Sequence, residues 1–514
     1  MKKYLTFPLI NIFAMLLGVT LTLAFAPFEI FPFAILAPAG LLALWLKASP
    51  RRAFGLGFWF GIGFFGTGVY WVYISVNQFG GVPPIGAAAF TGAFVAILAL
   101  FPACTGYALN RYFPPVNTVK MVYAFPAIWV AVDIIRGNIF TGFPWLFIGY
   151  SQSSSPLKGY AAILSVYAVT LAALLTSGLL VNAYMKYRQK MYQLMYYNLL
   201  AIVILWIGGS LLCLIPWTKP EGKPVTVSLV QGNIPQSLKW SPEHLALSFD
   251  TYEKLTAPLW GKSQLIVWPE AAIPVSFEDA TSFLDSMTDK AKQSGSELIL
   301  GIPQSAGNDS YYNSLIALGT SQQVYQKRRL VPFGEYTPLA NISSQLLKFM
   351  DIPMSNLISG AAHQPPMQIG DLKILPSICY EIAFPDLMQT PDKSISFLLV
   401  VTNDAWFGRS SAQAQHLQMA KMRALELGRA VLFVSNDGIT AIIGPDGRIE
   451  ASIPPHEAAV LTSTVQPMFG LTPWMRNGID SVWFVLICIL FIAIRANKTA
   501  GKMPEKNMAA QEIK

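Results

Sequence analysis

Hydrophobic positions along this chain fall into two regimes. Up to about residue 220 they form long apolar runs, at approximately 8–26, 30–47, 53–76, 84–109, 119–136, 160–183 and 196–216, and a last run covers 479–495. A helix needs about 20 apolar residues to cross the hydrocarbon core of a bilayer, so each run is a candidate span. Pro32 and Pro38 interrupt the second and leave its ends poorly defined. From Pro224 the pattern changes to short β-rich runs: 225–231, 264–268, 297–302, 311–318, 323–327, 372–380, 396–403, 430–436, 440–444 and 459–465 read as strands. Segments 242–259, 278–294 and 411–429 have helical spacing, and Pro445-Asp446-Gly447 marks a tight turn. Strand–helix alternation followed by hairpins predicts an α/β layered domain, large enough to bury substantial sheet. The expected division is a transmembrane domain over 1–220 with seven spans, an outward domain over 221–476, an eighth span over 477–497 and a basic tail over 498–514.

Composition fits that division. Only 12% of the 514 residues are charged and the mean hydropathy is +0.44, which excludes an ordinary soluble enzyme. The net charge of +8 would suit a nucleic-acid binder, but residues 221–476 hold 18 Lys+Arg against 23 Asp+Glu. That domain is mildly acidic and offers no basic groove to a phosphate backbone. The other 18 basic residues report topology. Lys2, Lys3, Lys47, Arg51, Arg52, Arg111, Lys120, Lys186, Arg188, Lys190 and those from Arg495 onward fall on one side if every run spans; Arg136, Lys158 and Lys219 fall on the other. Both termini are then cytoplasmic and the large domain faces outward. A cleaved secretory signal ending at Ala24-Phe25-Ala26 is the competing reading of the start; its apolar stretch is long for a signal, and losing it breaks the charge alternation. Glycines at 55, 57, 61, 63, 66 and 68 predict close helix packing, and Asp133 with Arg136, three apart, can pair within a span.

Of four cysteines, Cys104, Cys213 and Cys488 lie in or beside apolar runs, and only Cys379 lies in the outward domain. No disulfide framework is expected. An unpaired thiol in an oxidising compartment then points to catalysis. Taken alone, Cys379 reads as a core cysteine, Glu270 as a turn carboxylate and Lys327 as an edge-strand lysine. Together they occupy the ends of apolar strands, where crevices and sites form. Cys379 is the candidate nucleophile, Glu270 its base and Lys327 the partner of an oxyanion. Glu335, past the turn Pro332-Phe333-Gly334, would orient Lys327 or share the proton relay, and Glu381 is expected on the same strand face as Cys379. The four histidines lack a nucleophile-pairing context, and no metal-ligand spacing appears, so neither a metal nor another cofactor is expected.

Trp268-Pro269-Glu270, then Lys327 eight residues before Glu335 in LVPFGEY, then Ile378-Cys379-Tyr380-Glu381 resemble the Glu–Lys–Cys signature of the nitrilase superfamily. More narrowly, GNIPQSLKW (232–240), TNDAWFG (402–408), TGFPW (141–145) and FAPF (25–28) resemble bacterial apolipoprotein N-acyltransferases over essentially the whole chain. The resemblance implies an αββα nitrilase-like sandwich, inserted before the last helix of an all-α eight-span transmembrane domain, on the periplasmic side of the bacterial inner membrane. It implies Glu270, Lys327 and Cys379 as catalytic residues, Glu335, Tyr380 and Glu381 in support, and Trp240 in a substrate-binding arm. It also implies a phospholipid acyl donor, a diacylated apolipoprotein acceptor, contact with membrane lipids and transfer through a cysteine thioester. Phe349-Met350 and Ala405-Trp406-Phe407 are candidate linings of an acyl pocket, with Trp406 in contact with substrate. No obligate protein partner is expected, so a monomer is. The enzymatic rival is a membrane-tethered amidase acting on a small amide, for which seven preceding spans are surplus; the other rival is a transporter or scaffold, against which the scarcity of intramembrane charge argues.

Overall fold

The computed structural model describes the backbone of residues 2–336 and 356–500, with side chains from 8 to 336 and from 356 to 499. Phe349-Met350 and the tail beyond residue 500 lie outside the described residues. The chain divides into two compact units, one of residues 1–69, 92–214 and 478–514, the other of 70–91 and 215–477.

In the first unit each apolar run has become helix. The helices include Lys2–Thr22, Phe33–Trp45, Pro50–Gly68, Phe125–Asn138, Ala161–Arg188 and Tyr192–Leu212, with most of Pro84–Tyr112 and the greater part of Pro473–Ala500. Among the described residues four helices are long and apolar enough to cross a membrane, at Pro84–Tyr112, Pro156–Arg188, Tyr192–Leu212 and Pro473–Thr499. A bent pair, Pro50–Gly68 with Trp71–Phe79 at 54°, makes five if it counts as one span. Leu200, Val203, Ile204, Ile207 and Leu211 stand exposed on Tyr192–Leu212, a surface suited to lipid rather than water. Glycine sets the closest helix crossings: a Cβ at Gly63 would strike the Met15 carbonyl, and one at Gly18 that of Phe60. At Gly57 it would lie 2.5 Å from the Pro102 oxygen, whereas Gly55 faces open space and is not explained this way. The expected Asp133–Arg136 pair forms within helix Phe125–Asn138. Arg136 Nη2 donates to Asp133 Oδ1 at 3.0 Å, and Nη1 donates to the carbonyls of Phe143 and Trp145. This pairing fixes the TGFPW segment and satisfies a buried charge that would otherwise be costly.

The second unit is built on two six-stranded sheets. In chain order its strands are β1 (Thr218–Pro220), β2 (Val225–Gln231), β3 (Leu265–Val267), β4 (Glu297–Gly307), β5 (Ser310–Leu318), β6 (Gln323–Gln326) and β7 (Met367–Ile369). There follow β8 (Leu372–Ile378), β9 (Phe397–Thr402), β10 (Ala430–Ser435), β11 (Thr440–Ile443), β12 (Ile449–Ile453), β13 (Ala459–Val465) and β14 (Met468–Gly470). One sheet runs β13-β2-β3-β4-β5-β6, the other β12-β11-β10-β9-β8-β7, and β1 pairs with β14. Both sheets are mixed. Strands β2, β3 and β4 are parallel, as are β8, β9 and β10, and antiparallel strands flank each set. The parallel strands β9 and β10 are buried along their length, which is why FLLVVT and AVLFVS read as continuous apolar runs. Tyr252, Leu284 and Met287 of helices Leu245–Thr256 and Thr281–Ser294 pack on the first sheet with Val230, Ile266 and Leu298. Helix Ala412–Leu427 lies against β10 of the second sheet, and β2 meets β10 where the sheets face each other.

One expectation fails at a decisive place. The run 372–380 does not stay extended: β8 stops at Ile378, and Cys379–Ala383 form a 3-10 turn with Cys379 at φ +51°. The Glu381 carboxylate takes the Ile378 N–H at 2.8 Å and so turns the chain back on itself. Cys379 and Glu381 therefore do not share a strand face. Strands β1, β7, β12 and β14, three to five residues each, are too short or irregular to show an alternating pattern.

Candidate active site

Strand ends of both sheets supply the site. Glu270 lies just past β3, Lys327 directly follows β6, and Cys379 directly follows β8. Past β3, Trp268 still donates its N–H to Ile299, while Pro269, which has no N–H, accepts from Gly301. The chain then bulges at Glu270–Ala271, with Ala271 at φ +45°. Gly301 makes room for this bulge: a Cβ there would lie 2.5 Å from Pro269 O, 2.6 Å from Ala271 N and 2.7 Å from Glu270 Cα.

Lys327 is buried between two carboxylates. Its Nζ donates to Glu335 Oε1 at 2.6 Å and to Glu270 Oε1 at 3.3 Å. Asn313 Nδ2 donates to Glu270 Oε1 at 2.7 Å and reaches Glu335 Oε1 at 3.5 Å. The other Glu270 oxygen accepts the Asn403 N–H at 2.8 Å, and Glu335 Oε2 accepts that of Val331 at 2.7 Å. Burial pushes the Glu270 carboxyl up, but Lys327, the Asn313 and Asn403 bonds and Lys239 outweigh it and hold it below its ordinary value. Burial likewise opposes the Lys327 ammonium, and Glu270, Glu335 and Cys379 together raise it well above its ordinary value. At Cys379 burial and the negative charge of Glu270 push the thiol well up, against the opposing pull of Lys327. The resting sulfur is therefore protonated, and attack by it requires a base.

Glu381 is spent on the backbone. Oε1 accepts the N–H of Arg328 at 2.6 Å and that of Arg329 at 3.2 Å, while Oε2 accepts the Ile378 N–H and, at 2.9 Å, the Tyr325 hydroxyl. It ties the residue after Lys327 to the residue before Cys379. Tyr380 is buried edge-on to Phe384 at 5.0 Å. Trp240 caps the short helix Gln236–Lys239, half-buried, and its indole N–H finds no hydrogen-bond partner among the described residues. Trp406 is half-buried, lies edge-on to Phe79 at 6.0 Å, and accepts a bond at its carbonyl from Ser75 at 2.7 Å.

Several participants escape the sequence reading. Asn313 and Gly301 carry no motif-level signal, and Asn403, though within TNDAWFG, serves Glu270 through its backbone N–H, which residue type does not reveal. Lys239 is fully buried beneath Glu270 and donates to its carbonyl at 3.3 Å. Burial lowers the Lys239 ammonium to about 8. His416, dismissed for want of a pairing context, reaches the Cys379 carbonyl with Nε2 at 3.1 Å and Asp404 with Nδ1 at 3.0 Å.

Two family profiles match the chain: the apolipoprotein N-acyltransferase N-terminal domain over residues 17–179 and carbon-nitrogen hydrolase over 226–472. A relative named apolipoprotein N-acyltransferase in Coxiella burnetii is 41% identical over 484 residues, covering 94% of this chain and 99% of its own. The chain belongs to the apolipoprotein N-acyltransferase family. A second relative of that name, from Nitrosomonas europaea, is 40% identical over 499 residues, with 95% of this chain and 97% of its own covered. A solved CN-hydrolase superfamily protein from Xanthomonas campestris is 20% identical, matches 48% of this chain and 91% of its own, and superposes with a TM-score of 0.37. Within the N-acyltransferase framework, Glu270, Lys327, Glu335, Cys379 and Glu381 all fall in the carbon-nitrogen hydrolase match. The Asp133–Arg136 pair and TGFPW fall in the N-terminal one. This is a membrane protein with a nitrilase-type domain.

Proposed function

We propose that this protein moves a fatty acyl chain from a phospholipid, through a thioester on Cys379, to the N-terminal amine of a diacylglyceryl-cysteine apolipoprotein. The observation that carries the reading is a buried, unpaired thiol on a strained turn, acted on electrostatically by Glu270 and Lys327. It sits in a chain matched nearly end to end by proteins named apolipoprotein N-acyltransferase. That coverage favours acyl transfer over hydrolysis of a small amide, which the carbon-nitrogen hydrolase domain alone would allow.

In the first half-reaction Cys379 Sγ attacks the ester carbonyl carbon and its proton passes to Glu270. Lys327 meets the negative charge that develops on the carbonyl oxygen, a contribution of about 3 kcal/mol for one such donor. Collapse breaks the carbon–oxygen bond, and Glu270 returns the proton to the departing lysophospholipid. In the second half the α-amine of the lipidated cysteine attacks the thioester and gives its proton to Glu270. The carbon–sulfur bond breaks, and the proton returns to the thiolate. Glu335 keeps Lys327 aimed while Glu270 cycles between charge states. Trp240 and Trp406 are the proposed contacts to the lipid substrates, with Tyr380 in support of the site.

Both substrates are anchored in a bilayer, which gives the apolar helices their purpose. The proposed layout has seven spans over 1–220, the catalytic domain over 221–476 in the periplasm, an eighth span over 477–497 and a cytoplasmic tail over 498–514. Both termini then lie in the cytoplasm of a bacterial inner-membrane monomer.

Intact mass spectrometry after incubation with phospholipid and no acceptor tests the reading. The expected result is a hydroxylamine-labile gain of one acyl chain at Cys379, absent in Cys379→Ala and discharged by a diacylated lipopeptide. An enzyme that gains no acyl chain and leaves the lipopeptide unmodified overturns it.

A further inference from the structure

A buried polar group lies on the side of the nucleophile that the proposed mechanism does not use. Thr402, Asp404 and His416 are all fully buried. Asp404 ends the loop that leaves β9, and His416 sits on helix Ala412–Leu427. Asp404 Oδ1 accepts from the Thr402 hydroxyl at 2.8 Å and is hydrogen-bonded to His416 Nδ1 at 3.0 Å. The opposite ring nitrogen, Nε2, lies 3.1 Å from the Cys379 carbonyl oxygen. Phe433 and Phe407 hold the ring edge-on at 5.3 and 6.3 Å.

A carbonyl oxygen only accepts, so Nε2 carries the hydrogen of its bond to Cys379. Nδ1 and Asp404 Oδ1 share a second bond. The ring thus joins a buried carboxyl group to the backbone of the nucleophile. Cys379 needs such a hold, because its φ of +51° lies in the left-handed region, which costs a non-glycine residue roughly 1–2 kcal/mol. Thr402 completes the group: its hydroxyl donates to Asp404 and acts on the Cys379 thiol, lowering it. Asp404 thus orients two arms, the His416 ring at the carbonyl of the nucleophile and the Thr402 hydroxyl that acts on its thiol.

We propose that Asp404, His416 and Thr402 form a positioning clamp that holds Cys379 in its left-handed conformation and aims its sulfur. None of the three need touch substrate; each acts through Cys379. The proposal rests on Cys379 being the nucleophile, and one of its readouts is independent of the acyl-transfer reading.

The test uses the full chain in detergent, with folding checked by thermal unfolding. His416→Leu keeps the volume and removes both ring nitrogens; His416→Gln keeps an N–H donor; Thr402→Val removes the hydroxyl. Turnover is followed with phospholipid and a diacylated lipopeptide. The rate of Cys379 alkylation by iodoacetamide, mapped by peptide mass, needs no acyl substrate. In His416→Leu kcat is expected to fall about a hundredfold, with KM within about threefold of the parent. Alkylation of Cys379 is expected to slow about tenfold in His416→Leu and Thr402→Val. His416→Gln is expected to recover most of both. Parental kcat and alkylation in folded His416→Leu or Thr402→Val overturn the clamp, as does a folded His416→Gln as impaired as the leucine variant. If His416→Leu does not fold, Thr402→Val and His416→Gln decide on the same terms. Failure of acyl transfer in the parent chain overturns the acyltransferase reading and leaves the alkylation comparison to judge the clamp.

Discussion

Glu381 accepts the backbone N–H of Arg328 at 2.6 Å, and with its other oxygen that of Ile378 at 2.8 Å. One buried carboxylate thus ties the chain just after Lys327, on one sheet, to the chain just before Cys379, on the other. The bridge links the backbone beside Lys327 to the backbone beside Cys379, a connection that neither sheet makes alone. Burial pushes the Glu381 carboxyl up against the four bonds that favour its charged form.

Glu381→Gln tests the bridge. The amide substitutes an NH2 for an oxygen that faces two donors, so those bonds are lost and two donors are left buried. A loss of about 3 kcal/mol in stability is expected, together with a large loss of turnover. Denaturant unfolding of the variant beside Glu381→Asp measures the first, and a turnover assay the second. Parental stability in Glu381→Gln would show the bridge to be dispensable.

Gly301 controls Glu270 through space. Because any Cβ at 301 overlaps the Glu270 backbone, Gly301→Ala should displace the proposed base. Even a 1 Å shift of a reacting group costs about a hundredfold in rate. Acyl-enzyme formation should fall by that order while the chain remains folded; a variant with unchanged acylation kinetics would place the base elsewhere.

Glu270 and Lys327 act on the thiol with opposite signs. After burial, the Glu270 charge is the largest influence raising the Cys379 thiol, and Lys327 lowers it. Replacing Glu270 by Gln should therefore move the pH dependence of iodoacetamide alkylation to lower pH, while acyl transfer falls about a hundredfold to ten-thousandfold for want of a base. Lys327→Met should move the alkylation curve to higher pH. Equal shifts of one sign in both variants would contradict the arrangement.

Asp437 lies beneath the site near Lys239, and burial followed by the Asp404 charge raises it to about 7. Its unfolded value is about 3.9. Between those values the folded chain holds the extra proton, so the contribution of this group to stability is complete below the lower value and lost as pH rises through about 7. Asp437→Asn, which mimics the protonated form, should match the parent near pH 4. It should become more stable than the parent by about 2 to 4 kcal/mol at pH 8. Unfolding midpoints measured across that range check the sign, and a gap that does not widen with pH would refute it.

Much of this protein is legible along the chain. Continuous apolar stretches become helices or strands wherever one residue pattern serves a whole element, as in the buried strand VTVSLVQ and the antiparallel edge strand AVLTSTV, which begin and end where the pattern does. The acidic–lysine–cysteine order is legible for a similar reason, because each of these residues follows an apolar strand directly or within a few positions. The bend near Val69, by contrast, has no periodic signature, and residues 70–91 beyond it belong to the unit that holds the two sheets.

What the sequence determined by itself was most of the helices, the longer strands and the short constellation of candidate site side chains, since these depend on local hydrophobicity and residue type. Only the tertiary structure decided how those side chains are held. Glu270 depends on Asn313 and Asn403, which are 43 and 133 residues away in sequence. Cys379 depends on Glu381 to end its strand and on His416, 37 residues on, to hold its carbonyl. Such contacts are made by single amides, carboxylates and ring nitrogens brought together by folding. One bond between distant residues leaves no periodicity along a chain, which is why they become visible only when the two sheets meet.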